Sequence, residues 1–127
     1  MNPVVHFEVP ADDRGRATAF YTDVFGWQVD EMPLDGDVYT SVMTTPVDEE
    51  YNHERSGAIN GAVIDRDDTL ETPIITVDVD SIDDQAEAIE AAGGTMLVEK
   101  GEVPEMGYYA YFEDPEGNVL GLWESMA

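Results

Sequence analysis

The sequence has no cysteine, only five cationic side chains and no long hydrophobic run. The missing cysteine excludes disulfides, thiolate catalysis and Cys-ligated zinc. Five Lys+Arg against 29 Asp+Glu give a formal net charge of −24 over 127 residues. Nucleic-acid backbones are bound by clustered cations, so a nucleic-acid partner is excluded, and a basic membrane-surface anchor falls on the same ground. No apolar stretch approaches the roughly 18 residues of a membrane span. No charged-then-apolar leader is read at the start, so a soluble, cytoplasmic protein is expected.

What is present is enough to fold, on a condition. Leu, Ile, Val and Phe total 29 residues, 23% of the chain, just above the level of about 20% below which a highly charged chain stays disordered. Repulsion among uncompensated carboxylates opposes compaction at low ionic strength. Near 1 M salt the screening length falls to about 3 Å and most of that penalty disappears. A single lysine, Lys100, beside 15 Asp and 14 Glu is the composition expected of a salt-accumulating organism.

The apolar residues repeat a pattern. Residues 4–9 (VVHFEV) alternate as a strand. Ala17, Phe20, Tyr21, Val24 and Phe25 then recur at the spacing of a core-facing helix, with Asp12 or Asp13 as N-cap and Gly26 at the left-handed C-terminal position. Residues 27–32 read as a returning strand. In the second half, residues 74–79 (IITVDV) form a strand, and Ser81 with Asp84 opens a helix marked by Ile82, Gln85, Ala86 and Ile89. Gly93-Gly94 ends that helix before a strand at 95–99. Residues 38–44 match 108–112, and residues 59–63 match 119–123. Each half therefore reads β-α-β-β-β, and the chain reads as one domain of two modules, about 1–68 and 71–127. The implied fold class is α+β: a curved, mixed, mainly antiparallel sheet with helices on its outer face and a cleft as the default ligand site. Residues 45–57 are an acidic loop able to cover that cleft. Phe7, Val9, Phe20 and Phe25 are expected in the core.

The segments HFEVPADD (6–13), FYTDVFGW (20–27), AAGG (91–94) and EMGYYAYFEDPEGNVLGLW (105–123) resemble the vicinal oxygen chelate superfamily, which includes glyoxalase I, extradiol dioxygenases and bleomycin-resistance proteins. Its metal-dependent members hold one divalent ion through four strand positions, one on the first and one on the last strand of each module. The resemblance places those positions at His6, Gly61, Ile74 and Gly121, and of these only His6 carries a donor. A catalytic zinc ordinarily needs three protein ligands, so no cofactor is expected. The alternative is a divalent ion held by His6, Glu8 and a further donor such as His53, which would support a lyase or oxygenase of the same superfamily.

Glu8 lies two residues from His6 and so shares its strand face. An imidazole beside a carboxylate can orient its tautomer and gain basicity, which makes His6 and Glu8 the candidate catalytic pair. With Gly61, Ile74, Thr76, Gly121 and Trp123 they make the expected ligand cleft. Tyr109 and Tyr111 share one face of their strand and Tyr108 the other. The expected partner is a small neutral or cationic organic molecule, because an anionic one would meet a strongly negative field. The resemblance also implies a homodimer, and a non-catalytic dimeric module with a self-filled cleft is the remaining reading. The charge balance makes one prediction: the urea midpoint rises between low and molar KCl, and a midpoint that stays level contradicts the screening argument.

Overall fold

A computed structural model describes residues 1–34, 36–50 and 52–126. Asp35, Tyr51 (in the acidic loop) and Ala127 lie outside the described residues. The elements in chain order are β1 (Val4–Ala11), α1 (Arg14–Phe25), β2 (Gln28–Leu34), β3 (Asp37–Met43), β4 (Asn60–Asp65), β5 (Ile74–Asp78), α2 (Ile82–Ala91), β6 (Thr95–Val103), β7 (Gly107–Glu113) and β8 (Val119–Ser125). The chain is thus an α+β fold of two βαβββ modules. Among the described residues no helix is long and apolar enough to cross a membrane.

The two compact units are His6–Pro73 and Met1–Val5 together with Ile74–Ala127. The first five residues group with the second module because hydrogen bonds tie them there. The Asp78 N–H donates to the Pro3 carbonyl at 2.9 Å, and Asn2 Nδ2 donates to the Asp78 carbonyl at 3.1 Å.

In the first module the strand order is β2-β3-β4-β1, with β1 and β4 parallel and the other pairs antiparallel. Helix α1 begins where Asp13 accepts a hydrogen bond from the Arg16 N–H at 3.0 Å and ends at Gly26, whose φ of 72° is the left-handed conformation that glycine adopts without strain. Ala11, Val42 and Val63 are buried beneath the helix, with Phe7, Ala17 and Trp27 packed against them. Tyr21 stacks on Trp27 with centroids 4.9 Å apart. The expectation that Phe20 and Phe25 enter this core is corrected: they are 55% and 61% exposed. The helix meets the sheet through its Ala17 and Tyr21 side, and the rest of the aromatic stripe extends past the edge of that contact.

The second module repeats the plan with order β5-β8-β7-β6, β5 and β8 parallel and the rest antiparallel. Ser81 caps α2 by accepting from the Asp84 N–H at 3.1 Å, and the Glu124 carboxylate accepts from the Ile82 N–H at 2.7 Å. Val79, Ile82, Ala110 and Leu122 are buried under α2, with Val77, Ile89, Met96, Tyr108 and Phe112 around them.

The duplication extends to a loop device. Before β8, the Asp114 carboxylate accepts from the backbone N–H groups of Glu116 and Asn118 at 2.8 and 2.9 Å. Before β4, Asp48 accepts from those of Glu50 and Asn52 at 2.8 and 3.0 Å. These bonds hold both carboxyls below the usual carboxylate range. The acidic loop is closed further by a bridge pairing Val47 with His53.

Candidate functional site

Strand side chains alternate between faces, so the packing against each helix assigns the opposite face as well. In the first module Phe7, Val63 and Val42 point at α1. His6 and Glu8 on β1, Ala62 on β4 and Tyr39 and Ser41 on β3 therefore occupy the helix-free face. Glu8 is paired with Ala62, and Ala62 with Ser41. Glu8 is 8% exposed and Ala62 fully buried. His6 is half-buried.

The electrostatics of this face follow from burial. Desolvation pushes His6 below its ordinary value, so the imidazole is neutral near pH 7, with one ring nitrogen a donor and the other an acceptor. This is opposite to the direction expected from a neighbouring carboxylate, and its cause is the burial cost of an imidazolium. Tyr39 is pushed up to about 12, first by burial and then by the charge of Glu8. Its phenol thus remains a hydrogen-bond donor at any physiological pH. Tyr39 was missed in the sequence, where its strand was read only as a match to β7; the alternation from Val42 would have placed it.

Gly61 does not join this group. It pairs with Phe7, and a Cβ built on it would strike the Phe7 carbonyl oxygen and lie 2.8 Å from the Phe7 ring. Gly61 therefore belongs to the α1 side, where no side chain fits, and the residue beside Glu8 on the helix-free face is Ala62. The sequence-based assignment is off by one position, which inverts the face.

In the second module Val77, Leu122 and Ala110 face α2, which leaves Ile74 and Thr76 on β5, Gly121 and Trp123 on β8, and Tyr109 and Tyr111 on β7 sharing the helix-free face. Thr76 pairs with Gly121, and Trp123 with Tyr109. Ile74 and Thr76 are 1% and 6% exposed. The four second-module residues expected in the cleft thus share one face. His53 lies in the acidic loop, its buried Nδ1 without a hydrogen-bond partner.

The two βαβββ modules, each with a helix on one strand face and Glu8/His6 or Thr76/Trp123 on the other, define a duplicated glyoxalase-type fold. The model of the Glyoxalase/Bleomycin resistance protein/Dioxygenase superfamily matches residues 4–122, and the chain belongs to that superfamily. It is 28% identical over 122 residues to "Putative glyoxylase CFP32" of Mycobacterium bovis, an alignment that covers 93% of this chain but 44% of that protein. The chain therefore spans less than half the length of this curated relative. Among solved structures it is similar to methylmalonyl-CoA epimerase from Mycobacterium tuberculosis (TM-score 0.66, 14% identity, 98% of this chain and 88% of that one). It is also similar to the hypothetical protein BH1468 from Bacillus halodurans (TM-score 0.68, 12% identity, 99% and 96%). At these identities the likeness shows the fold.

The divalent ion of metal-dependent superfamily members does not fit this donor set. Ile74 and Gly121 offer no side-chain donor, nor does Ala62. Among the described residues no three His, Asp or Glu side chains gather closely enough to hold an ion. At Gly121 the space is also taken: a Cβ there would lie 2.8 Å from Thr76 Oγ1. Gly121→Ala is accordingly expected to cost about 1–3 kcal/mol by overpacking, and most of that loss is recovered in the Thr76→Ala background. A double-mutant cycle of urea stabilities measures the coupling; additive effects would contradict the contact.

Proposed function

We propose that this protein is a glyoxalase-like member of its superfamily that binds a small neutral or cationic organic molecule on a helix-free strand face without a divalent ion. The reading rests on one observation: buried Glu8, His6 lowered by desolvation and Tyr39 raised by burial and by the charge of Glu8 share the helix-free face of one module. Perturbed titratable groups gather where a ligand is handled. Glu8 supplies the acceptor for a ligand N–H or cation. The neutral His6 supplies one donor and one acceptor, and the Tyr39 hydroxyl a further donor. His6 and Glu8 are also the groups able to hold or pass a proton if the bound molecule reacts.

Several solved neighbours are methylmalonyl-CoA epimerases. A CoA thioester carries phosphate charges, and a chain with 5 Lys+Arg and 29 Asp+Glu repels such a ligand at long range. The same field raises the local concentration of cations, which sets the ligand class.

The test is a thermal-shift panel of neutral, cationic and anionic small molecules in molar KCl, repeated on Glu8→Gln. Neutral or cationic compounds should raise the melting temperature, and Glu8→Gln should weaken the best of them about ten-fold or more, the worth of a hydrogen bond to a charged group. Stabilisation by anionic compounds alone, or equal affinity in Glu8→Gln, would overturn the reading.

A further inference from the structure

Two rings on the helix-free face of the second module lie over glycines. A Cβ built on Gly101 would fall 2.6 Å from Tyr109 Cζ and 2.7 Å from its hydroxyl oxygen. The Tyr109 ring therefore reaches sideways across its neighbour strand β6, where Gly101 is its paired residue. A Cβ on Gly107 would fall 2.6 Å from Trp123 Cζ2 and 2.9 Å from Cη2, besides striking the Glu124 carbonyl oxygen. The indole thus reaches across β7 in the same manner. Rings held this close to a glycine backbone lie along the sheet, with one π face against the main chain and the other turned outward. Tyr109 is 36% exposed, and Tyr111 stands beside it at a centroid distance of 6.0 Å with the planes tilted by 60°.

The outward π faces attract cations, and the module supplies almost none. Residues 1–5 and 74–127 contain one Lys and no Arg against 13 Asp+Glu. That lysine is committed elsewhere: Lys100 Nζ lies 5.0 Å from the Tyr108 ring centroid and 2.9 Å from Asp83, and Tyr108 packs with the α2-side core. No side-chain cation of this module is left to stack on the Tyr109 and Trp123 rings, and the negative module draws mobile cations toward them.

We propose that Tyr109 and Trp123, laid along the sheet over Gly101 and Gly107, form a stacking platform for a planar, positively charged heteroaromatic ring. The platform narrows the ligand class of the proposed function and rests on that reading. Flat stacking favours a fused ring over an aliphatic amine, and a delocalised charge loses less hydration on stacking than a compact ammonium.

Three probes with one ring system and three charges test this: N-methylquinolinium, quinoline and quinoline-2-carboxylate, titrated calorimetrically in molar KCl. The cation should bind several-fold tighter than neutral quinoline, and the anion should bind weakest. Tyr109→Leu and Trp123→Leu should each weaken the cation at least five-fold, and Tyr109→Phe should restore most of that affinity. Gly101→Ala, which removes no aromatic group but lifts the Tyr109 ring, should also weaken it, with unliganded melting temperatures reporting that each variant is folded. Equal affinity for cation and neutral ring, or failure of the cation to bind, would overturn the platform. If Tyr109→Leu and Trp123→Leu leave cation binding unchanged, the platform falls and the broader binding reading stands. If panel and probes both fail to bind, both fall.

Discussion

The strict alternation of side chains along β1 and β8, locked by the pairings of Glu8 with Ala62 and Thr76 with Gly121, is the constraint on which the molecule depends. It sends Phe7, Val63, Val77 and Leu122 into the two helix-covered cores and leaves Glu8, His6, Thr76 and Trp123 on the opposite faces. A slip of one residue in either pairing would bury the polar set under a helix and expose the core. Register thus fixes stability and chemistry together. The chemistry it fixes is spare: a buried carboxylate, an imidazole kept neutral by desolvation, a phenol held protonated, and positions where an ion would need donors but finds methyl groups or hydrogen.

The charge of −24 acts on both levels. It opposes compaction, so the small cores under α1 and α2 hold the fold against a repulsion that salt relieves. It also repels anions and attracts cations at long range. Three of the five cations form ion pairs: Arg14 Nε meets Asp65 at 3.0 Å, Arg66 meets Asp12 at 2.8 Å and Lys100 meets Asp83 at 2.9 Å. Such half-exposed pairs add little to stability; here the arginine pairs pin the start of α1 and the end of β4.

Most of the fold was legible because its signals are local. Asp13, Gly26 and Ser81 cap helices where their residue types predict, and every strand appears within a few positions of its alternating run. The tight turn at 114–118 was legible too, and its echo at 48–52 was hidden by the longer acidic loop around it. What was not legible depends on distances between elements. Helical spacing shows that Phe20 and Phe25 share a stripe with Ala17, but not how much of that stripe the sheet covers. Gly61 and Gly121 match as letters in NGAV and LGLW, yet only the pairing with Phe7 reveals that one faces the helix and the other does not. The direction of the His6 shift turned on burial, which no sequence spacing reports, and the flat setting of Tyr109 and Trp123 came from glycines on neighbouring strands.

The central claim is that ligand handling on these faces proceeds with side chains alone. The direct measurement is elemental analysis of the protein purified without chelator, after equilibration with zinc, manganese, nickel and magnesium in turn and removal of free ion. The account predicts well below one ion per chain for every metal. A stoichiometric ion whose retention is lost in both His6→Ala and Glu8→Gln would contradict it.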